Sequence, residues 1–176
     1  MAIKSDILII GSGIAGLGCA LKLAGRAGLA GRAGLADHFR VAIVTKREAI
    51  ETNTRYAQGG IASVTSAGDN FESHIRDTLI AGAGLCNPHV VEKIVRDGPR
   101  LIAELVRLGA KFSRNDRNEF DLGREGGHSQ RRVLHSADTT GQMIESALLN
   151  RIKKNRNIRL FEFHAAIDLI TTQKIK

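Results

Sequence analysis

The chain carries two cysteines and two prolines in 176 residues. Cys19 and Cys86 lie far apart and form no metal or redox spacing, and two scattered cysteines fit a reducing cytoplasm. The shortage of proline excludes collagen, even where glycine recurs every third residue. No stretch approaches ~18 uninterrupted apolar residues, so no membrane span is expected. Nor is a signal peptide: the apolar run Ile7–Ile10 is too short and leads straight into glycines. Hydrophobic content of 43% and charged content of 25% are those of an ordinary globular protein, and the length predicts one domain with room for a core. A net charge of +8 suits an anionic small ligand. The cluster Lys153-Lys154-Asn155-Arg156 reads as a solvated helix end, so no nucleic-acid partner is expected.

What the sequence does have is concentrated near its start. In Asp6-Ile7-Leu8-Ile9-Ile10-Gly11-Ser12-Gly13-Ile14-Ala15-Gly16 a short apolar run feeds a G-x-G-x-x-G turn, and an Ala/Leu-rich stretch follows. This is the strand, turn and helix that open a dinucleotide-binding βαβ unit, predicting a Rossmann-like α/β fold. Gly11 allows the tight turn, Gly13 lets the backbone approach a pyrophosphate, and Gly16 lets helix and strand pack closely. The phosphates are expected at the helix N-terminus, where amides and the helix dipole favour negative charge.

A second strand is predicted at Val41–Val44. Before it lies a hexapeptide repeated within Ala24–Leu35, a poor helix former because each glycine costs about 1 kcal/mol relative to alanine. The segment from Asn53 to Ser66 is too glycine-rich for a packed helix and suits a loop close to a ligand. A helix is predicted over Glu72–Ala81, with Ile75, Leu79 and Ile80 on one face. Another starts at Asn87-Pro88, and Gly98-Pro99 is expected to break and restart it before Gly109 stops it. Lys111-Phe112 is a candidate strand start, and Asn115–Asn118 a polar turn. Thr139-Thr140-Gly141-Gln142 matches a capping box for a helix running to about Lys153, burying Met143, Ile144, Ala147, Leu148 and Ile152. Ile158–Phe163 and Ala166–Thr171 read as strands.

Two constellations carry chemistry. An acidic residue usually ends strand two of a dinucleotide unit, to bind a ribose hydroxyl; here stand Thr45 and Lys46, which weakens a simple NAD reading. A cation there suits the adenosine phosphates of a larger nucleotide. The run Gly123–Asp138 packs Arg124, Glu125, His128, Arg131, Arg132, His135 and Asp138 between glycines. Such a loop suits an anionic substrate, with Arg and His as donors and Glu125 as counter-charge for an ammonium group. The alternatives are a solvated loop laced with ion pairs, and a metal site from His128, His135 and Asp138, whose spacing matches no common one. His38, His74, His89 and His164 read as structural or exposed.

Asp6–Gly18, Tyr56–Ala62, Asp77–Cys86 and Arg124–Gly141 together resemble the N-terminal part of the L-aspartate oxidase family, within the fumarate reductase/succinate dehydrogenase flavoproteins. Tyr-Ala-Gln-Gly-Gly followed by Arg-Glu-Gly-Gly-His-Ser is the restrictive part. The resemblance implies FAD as cofactor. Beside Gly11 and Gly16, it places first FAD contacts at Ser12, Gly13, Ile14 and Ala15, a strand-two lysine at Lys46, and a flavin-cradling loop from Asn53 through Thr54, Arg55, Tyr56, Ala57, Gln58 and Gly59 to Gly60. Relatives with covalent flavin have a histidine where Asn53 stands; a carboxamide lacks that nucleophile, so FAD is expected to be non-covalent. Glu125 matches the acidic residue that faces the substrate's amino group. The implied activity is oxidation of L-aspartate to iminosuccinate, with oxygen or fumarate as electron acceptor and quinolinate synthase as functional partner. The family is about three times longer, so residues 1–176 are expected to be the N-terminal part of the FAD-binding domain, inactive alone, with the proton acceptor beyond residue 176. A succinate or fumarate dehydrogenase, an NAD-binding dehydrogenase and a silent nucleotide-binding fragment are the competing readings.

Overall fold

The computed structural model describes residues 2–25, 39–171 and 173–174, which form two compact units. The first comprises Met1–Arg55 and Glu145–Lys176, the second Tyr56–Ile144. Most of the repeat within Ala24–Leu35, and His38, lie outside the described residues.

In the first unit, β1 (Ile7–Ile10), β2 (Val41–Val44) and β6 (Ile158–Phe161) make a parallel sheet in the order β1-β2-β6. Ile7 pairs with Val41, and Val41 in turn with Ile158. The apolar, β-branched run of β2 is the central strand, and Val41, Ala42 and Ile43 are buried. Helix α1 (Ile14–Ala24) packs on β1 and β2 through Leu17, Ala20 and Ala24. The last turns of helix α4 (Thr140–Lys153) add Leu148, Leu149 and Ile152 to the buried set. This is the βαβ arrangement expected from the glycine turn.

In the second unit, β3 (Ile61–Ala62), β4 (Leu122–Gly123) and β5 (Val133–Leu134) form a small antiparallel sheet with β5 central. Helices α2 (Phe71–Ala81) and α3 (Pro88–Leu108) pack against each other. Asn70 caps α2 by accepting from the Ser73 amide at 2.8 Å, and Asn87 caps α3 by accepting from His89 at 3.0 Å. Gly109 ends α3 in the left-handed region, at φ 112°.

Three expectations are corrected. Gly98-Pro99 does not break α3, which runs through Pro99. Val91, Val95 and Ile102 keep one buried face across the proline, and a Cβ on Gly98 would stand 2.9 Å from Ser63 Oγ, so that glycine serves close packing. On α2, Ile75, Leu79 and Ile80 share one face as the spacing predicts, and the buried residue is His74. Lys111-Phe112 lies outside any strand, although Phe112 is buried. Ala166–Thr171 is also no strand: it has no ladder partner among the described residues, and Ile167 and Ile170 are exposed. At the start of α4, the Thr139 hydroxyl donates to the Ser136 carbonyl at 3.2 Å, and Thr140 Oγ1 accepts from the Ser136 amide at 2.9 Å.

Candidate functional site

The first unit holds a cavity of about 540 Å³, lined by Gly11, Ser12, Gly13, Lys46, Asn53 and Thr54 among others. It opens at the end of β1 where the chain turns into α1. Gly11 has φ 106°, a region open to glycine and strained for other residues. A Cβ on Gly16 would lie 2.2 Å from the Gly11 carbonyl oxygen, so helix and turn approach as closely as the fingerprint requires. Gly13 caps α1 without a side-chain bond, and no acidic residue sits in the first turn. The helix N-terminus therefore presents its partial positive charge to the cavity with no acidic residue of its own to neutralise it, while Glu51 also lines the cavity. Lys46 adds a full charge at the end of β2.

Not every implied contact is a side-chain contact. Ser12 is buried and its hydroxyl donates to Thr45 Oγ1 at 3.2 Å, which leaves its main chain for a ligand. The Ile14 amide donates to Thr54 Oγ1 at 3.1 Å. Ala15 and Gly16 follow in the first turn, where amides have no intrahelical acceptor. A diphosphate thus fits this end: a glycine turn, a helix N-terminus and a lysine.

A cavity of about 340 Å³ in the second unit is lined by Gln58, Gly59, Gly123, Glu125, His135 and Asp138 among others. Glu125 is exposed, and its Oε1 stands 3.3 Å from where a Cβ on Gly59 would be. Gly60 is needed for another reason: its Cβ would lie 2.2 Å from the Leu134 carbonyl oxygen of β5. The Gly-Gly pair thus seats the loop on the sheet at one residue and leaves room for the Glu125 carboxylate at the other. Of the flavin-cradling loop, Asn53, Thr54 and Arg55 belong to the first unit, and Tyr56, Ala57, Gln58, Gly59 and Gly60 to the second. Tyr56 is exposed, and the Ala57 carbonyl accepts from the Gly141 amide at 3.0 Å.

Arg132 overturns the expectation that the loop's arginines all serve as donors to a substrate. Its side chain is fully buried and pairs twice with Asp69, Nε to Oδ2 and Nη2 to Oδ1, both at 2.9 Å. Nη1 donates to Asp77 Oδ2 at 2.7 Å, and Nη2 to Ser73 Oγ at 3.1 Å. The Ser129 amide and hydroxyl both donate to the same Asp77 oxygen at 2.7 Å. This clasp ties Gly123–Arg132, the loop bearing Glu125, to α2. Burial raises the Asp77 carboxyl, but the Ser129 and Arg132 bonds outweigh it and bring it down to about 2. His74 lies edge-on to His128 with centroids 5.6 Å apart, and burial lowers its basicity. Among the described residues no group of His, Cys, Asp or Glu could hold a metal.

A further buried carboxyl escaped the sequence reading. Glu145 on α4 is fully buried and accepts from Thr52 Oγ1. Burial pushes it up, against the Thr52 bond and the Arg55 charge that pull it down. Its position in an apolar helix face, four residues before Leu149, was the available signal.

The chain belongs to the FAD binding domain family, which matches residues 6–176. Within that class it is similar to L-aspartate oxidase 2-b, chloroplastic, of Nicotiana tabacum, with 47% identity over 168 residues, 96% of this chain and 24% of that protein. L-aspartate oxidase 1 of Ralstonia nicotianae is 42% identical over 172 residues, 97% of this chain and 30% of that protein. Of solved structures, E. coli quinol fumarate reductase superposes with a TM-score of 0.82 at 28% identity, covering 92% of this chain and 26% of that one. The Mycobacterium smegmatis Sdh1 complex gives 0.78 at 29%, covering 90% and 27%. The chain thus spans about a quarter to a third of the length of these relatives.

Proposed function

We propose that this chain supplies the FAD cradle and the ammonium-recognising carboxylate of an L-aspartate oxidase. The observation that carries the reading is Glu125: an exposed carboxylate, with Gly59 leaving it room, on a loop locked by a buried arginine. Dicarboxylates without an amino group give that charge nothing to pair with. Bound FAD would supply the hydride acceptor. The amides opening α1 and Lys46 would hold its phosphates, and Asn53 would hold the flavin without a covalent bond. Glu125 would pair with the substrate ammonium and so orient L-aspartate for loss of a hydride and a proton, giving iminosuccinate. Oxygen or fumarate would accept the electrons, and quinolinate synthase would take the product towards NAD. On this reading the proton acceptor lies outside both sites, residues 1–176 are the N-terminal part of the FAD-binding domain, and the chain alone gives no aspartate-dependent peroxide. The two unpaired cysteines favour a cytoplasmic setting.

The test is Glu125→Gln in a chimera that carries residues 6–171 in place of the matching segment of the tobacco relative. Losing a charge-assisted bond should raise KM for L-aspartate roughly 10- to 100-fold while leaving inhibition by succinate within about twofold. Equal losses for both ligands would favour a succinate- or fumarate-type flavoprotein.

A further inference from the structure

Glu145 is a buried carboxyl that neither site uses directly. Its Oε1 accepts a hydrogen bond from the Thr52 hydroxyl, and its Oε2 has no partner among the described residues. Arg55 and Glu51 are the charged groups whose fields reach it. A carboxyl with an orphan oxygen is a costly choice for packing alone, since apolar residues fill the neighbouring buried positions at Leu148, Leu149 and Ile152. Its one bond leads towards the cofactor. Thr52 Oγ1 also accepts from the Arg55 amide at 3.4 Å, and the Thr52 carbonyl accepts from the same amide at 3.2 Å, closing a turn over residues 52–55. Inside that turn, Thr54 Oγ1 accepts from the Ile14 amide at 3.1 Å and lies 3.4 Å from the Cβ position of Gly13. Helix α1 has no side-chain cap of its own, so Thr54 caps it from 40 residues away in sequence.

We propose that Glu145 is a positioning residue for the dinucleotide cradle: it holds Thr52, and through the 52–55 turn it sets Thr54 against the N-terminus of α1. The turn then fixes one wall of the phosphate end of the cavity, and Asn53 rides on it. This role concerns the cofactor and is independent of which substrate is oxidised.

The test uses the 176-residue chain itself, with two readouts. Hydrogen exchange at the Ile14 amide reports the Thr54 cap without any ligand, and flavin fluorescence titration reports FAD affinity. In Thr52→Val and in Glu145→Leu, Ile14 exchange and the FAD Kd should each rise about fivefold, the loss of one hydrogen bond. The double variant should add nothing further, because both changes cut the same link. Glu145→Gln should stay within about twofold, since its amide oxygen still accepts from Thr52. Leu148→Ala, a cavity in the same helix, should lower Tm yet leave Ile14 exchange within about twofold. Wild-type behaviour in Thr52→Val and Glu145→Leu would overturn the proposal. So would additive effects, a Glu145→Gln as impaired as the leucine variant, or an equal response in Leu148→Ala. If Glu145→Leu does not fold, Thr52→Val, Glu145→Gln and their combination decide it by the same criteria. A chain that fails to bind FAD leaves the Ile14 readout intact, which separates a fault in this link from a fault in the cofactor assignment.

Discussion

Replacing Arg132 by methionine keeps much of its volume and removes its charge. Asp69 and Asp77, with side chains 1% and 11% exposed, would then lack their cation. Stranding a buried charge in this way typically costs about 3–5 kcal/mol, a large part of the ~5–15 kcal/mol that holds a domain together. Urea unfolding followed by circular dichroism measures that loss. The pH dependence tests its cause. In the wild type Asp77 is depressed from 3.8 to about 2, so its share, about 2 kcal/mol, is present above pH 3.8 and lost as pH falls through about 2. In Arg132→Met, burial pushes the same carboxyl up with only Ser129 opposing it, so acidification relieves the variant while it weakens the wild type. The stability gap between them should therefore shrink from about pH 7 to about pH 3. Adding Asp69→Asn and Asp77→Asn to Arg132→Met should recover part of the loss, because no unpaired charge remains. A gap that is constant with pH, together with a triple variant no better than the single one, would mean that packing and not charge makes the clasp.

Gly16→Ala should raise the FAD Kd at least about tenfold and cost about 1–3 kcal/mol of stability, since its Cβ would meet the Gly11 carbonyl oxygen at 2.2 Å. Gly18→Ala, with open space around its Cβ position, should leave flavin titrations unchanged. Acid precipitation of the FAD-loaded chain should leave the yellow flavin in the supernatant, because Asn53 offers no nucleophile to the flavin methyl carbon; colour in the pellet would refute the non-covalent reading.

The parts of the fold legible in the sequence are those whose signals are local. Ile7–Ile10, the glycine turn and Val41–Val44 each state their conformation within a few residues: β1 and β2 span those runs, and α1 starts directly after the turn. Asn87-Pro88 and Gly109 bracket α3 for the same reason: caps act on neighbouring amides and carbonyls. Pro99 misleads because its cost, about 3 kcal/mol in a helix interior, is outweighed by a buried face that continues on both sides of it. Strands β3, β4 and β5, two residues each, are too short to show alternation. The run Ala166–Thr171 shows the converse: apolar content suggests a strand, but a strand exists only beside a partner.

Site residues divide along the same line. The glycines and Lys46 were legible because their roles are backbone geometry and a charge at a strand end. Arg132 and Glu145 were not, because each derives its meaning from residues far away in sequence: Asp69 is 63 positions from Arg132, and Thr52 is 93 from Glu145. In the string Arg124–Asp138, Arg131 and Arg132 are adjacent and chemically identical, yet Arg131 is exposed, donating to the Leu122 carbonyl, and Arg132 has no exposed surface. Their partners make the difference. Arg132, pinned by its own amide to the Gly123 carbonyl at 3.1 Å, sends its guanidinium to Asp69 and Asp77, whereas Arg131 meets a carbonyl at the surface. A polar loop can therefore hide a structural cation one residue from a solvated one. Glu125 is exposed in the same string, and on the proposed reading it is the carboxylate that meets the substrate ammonium.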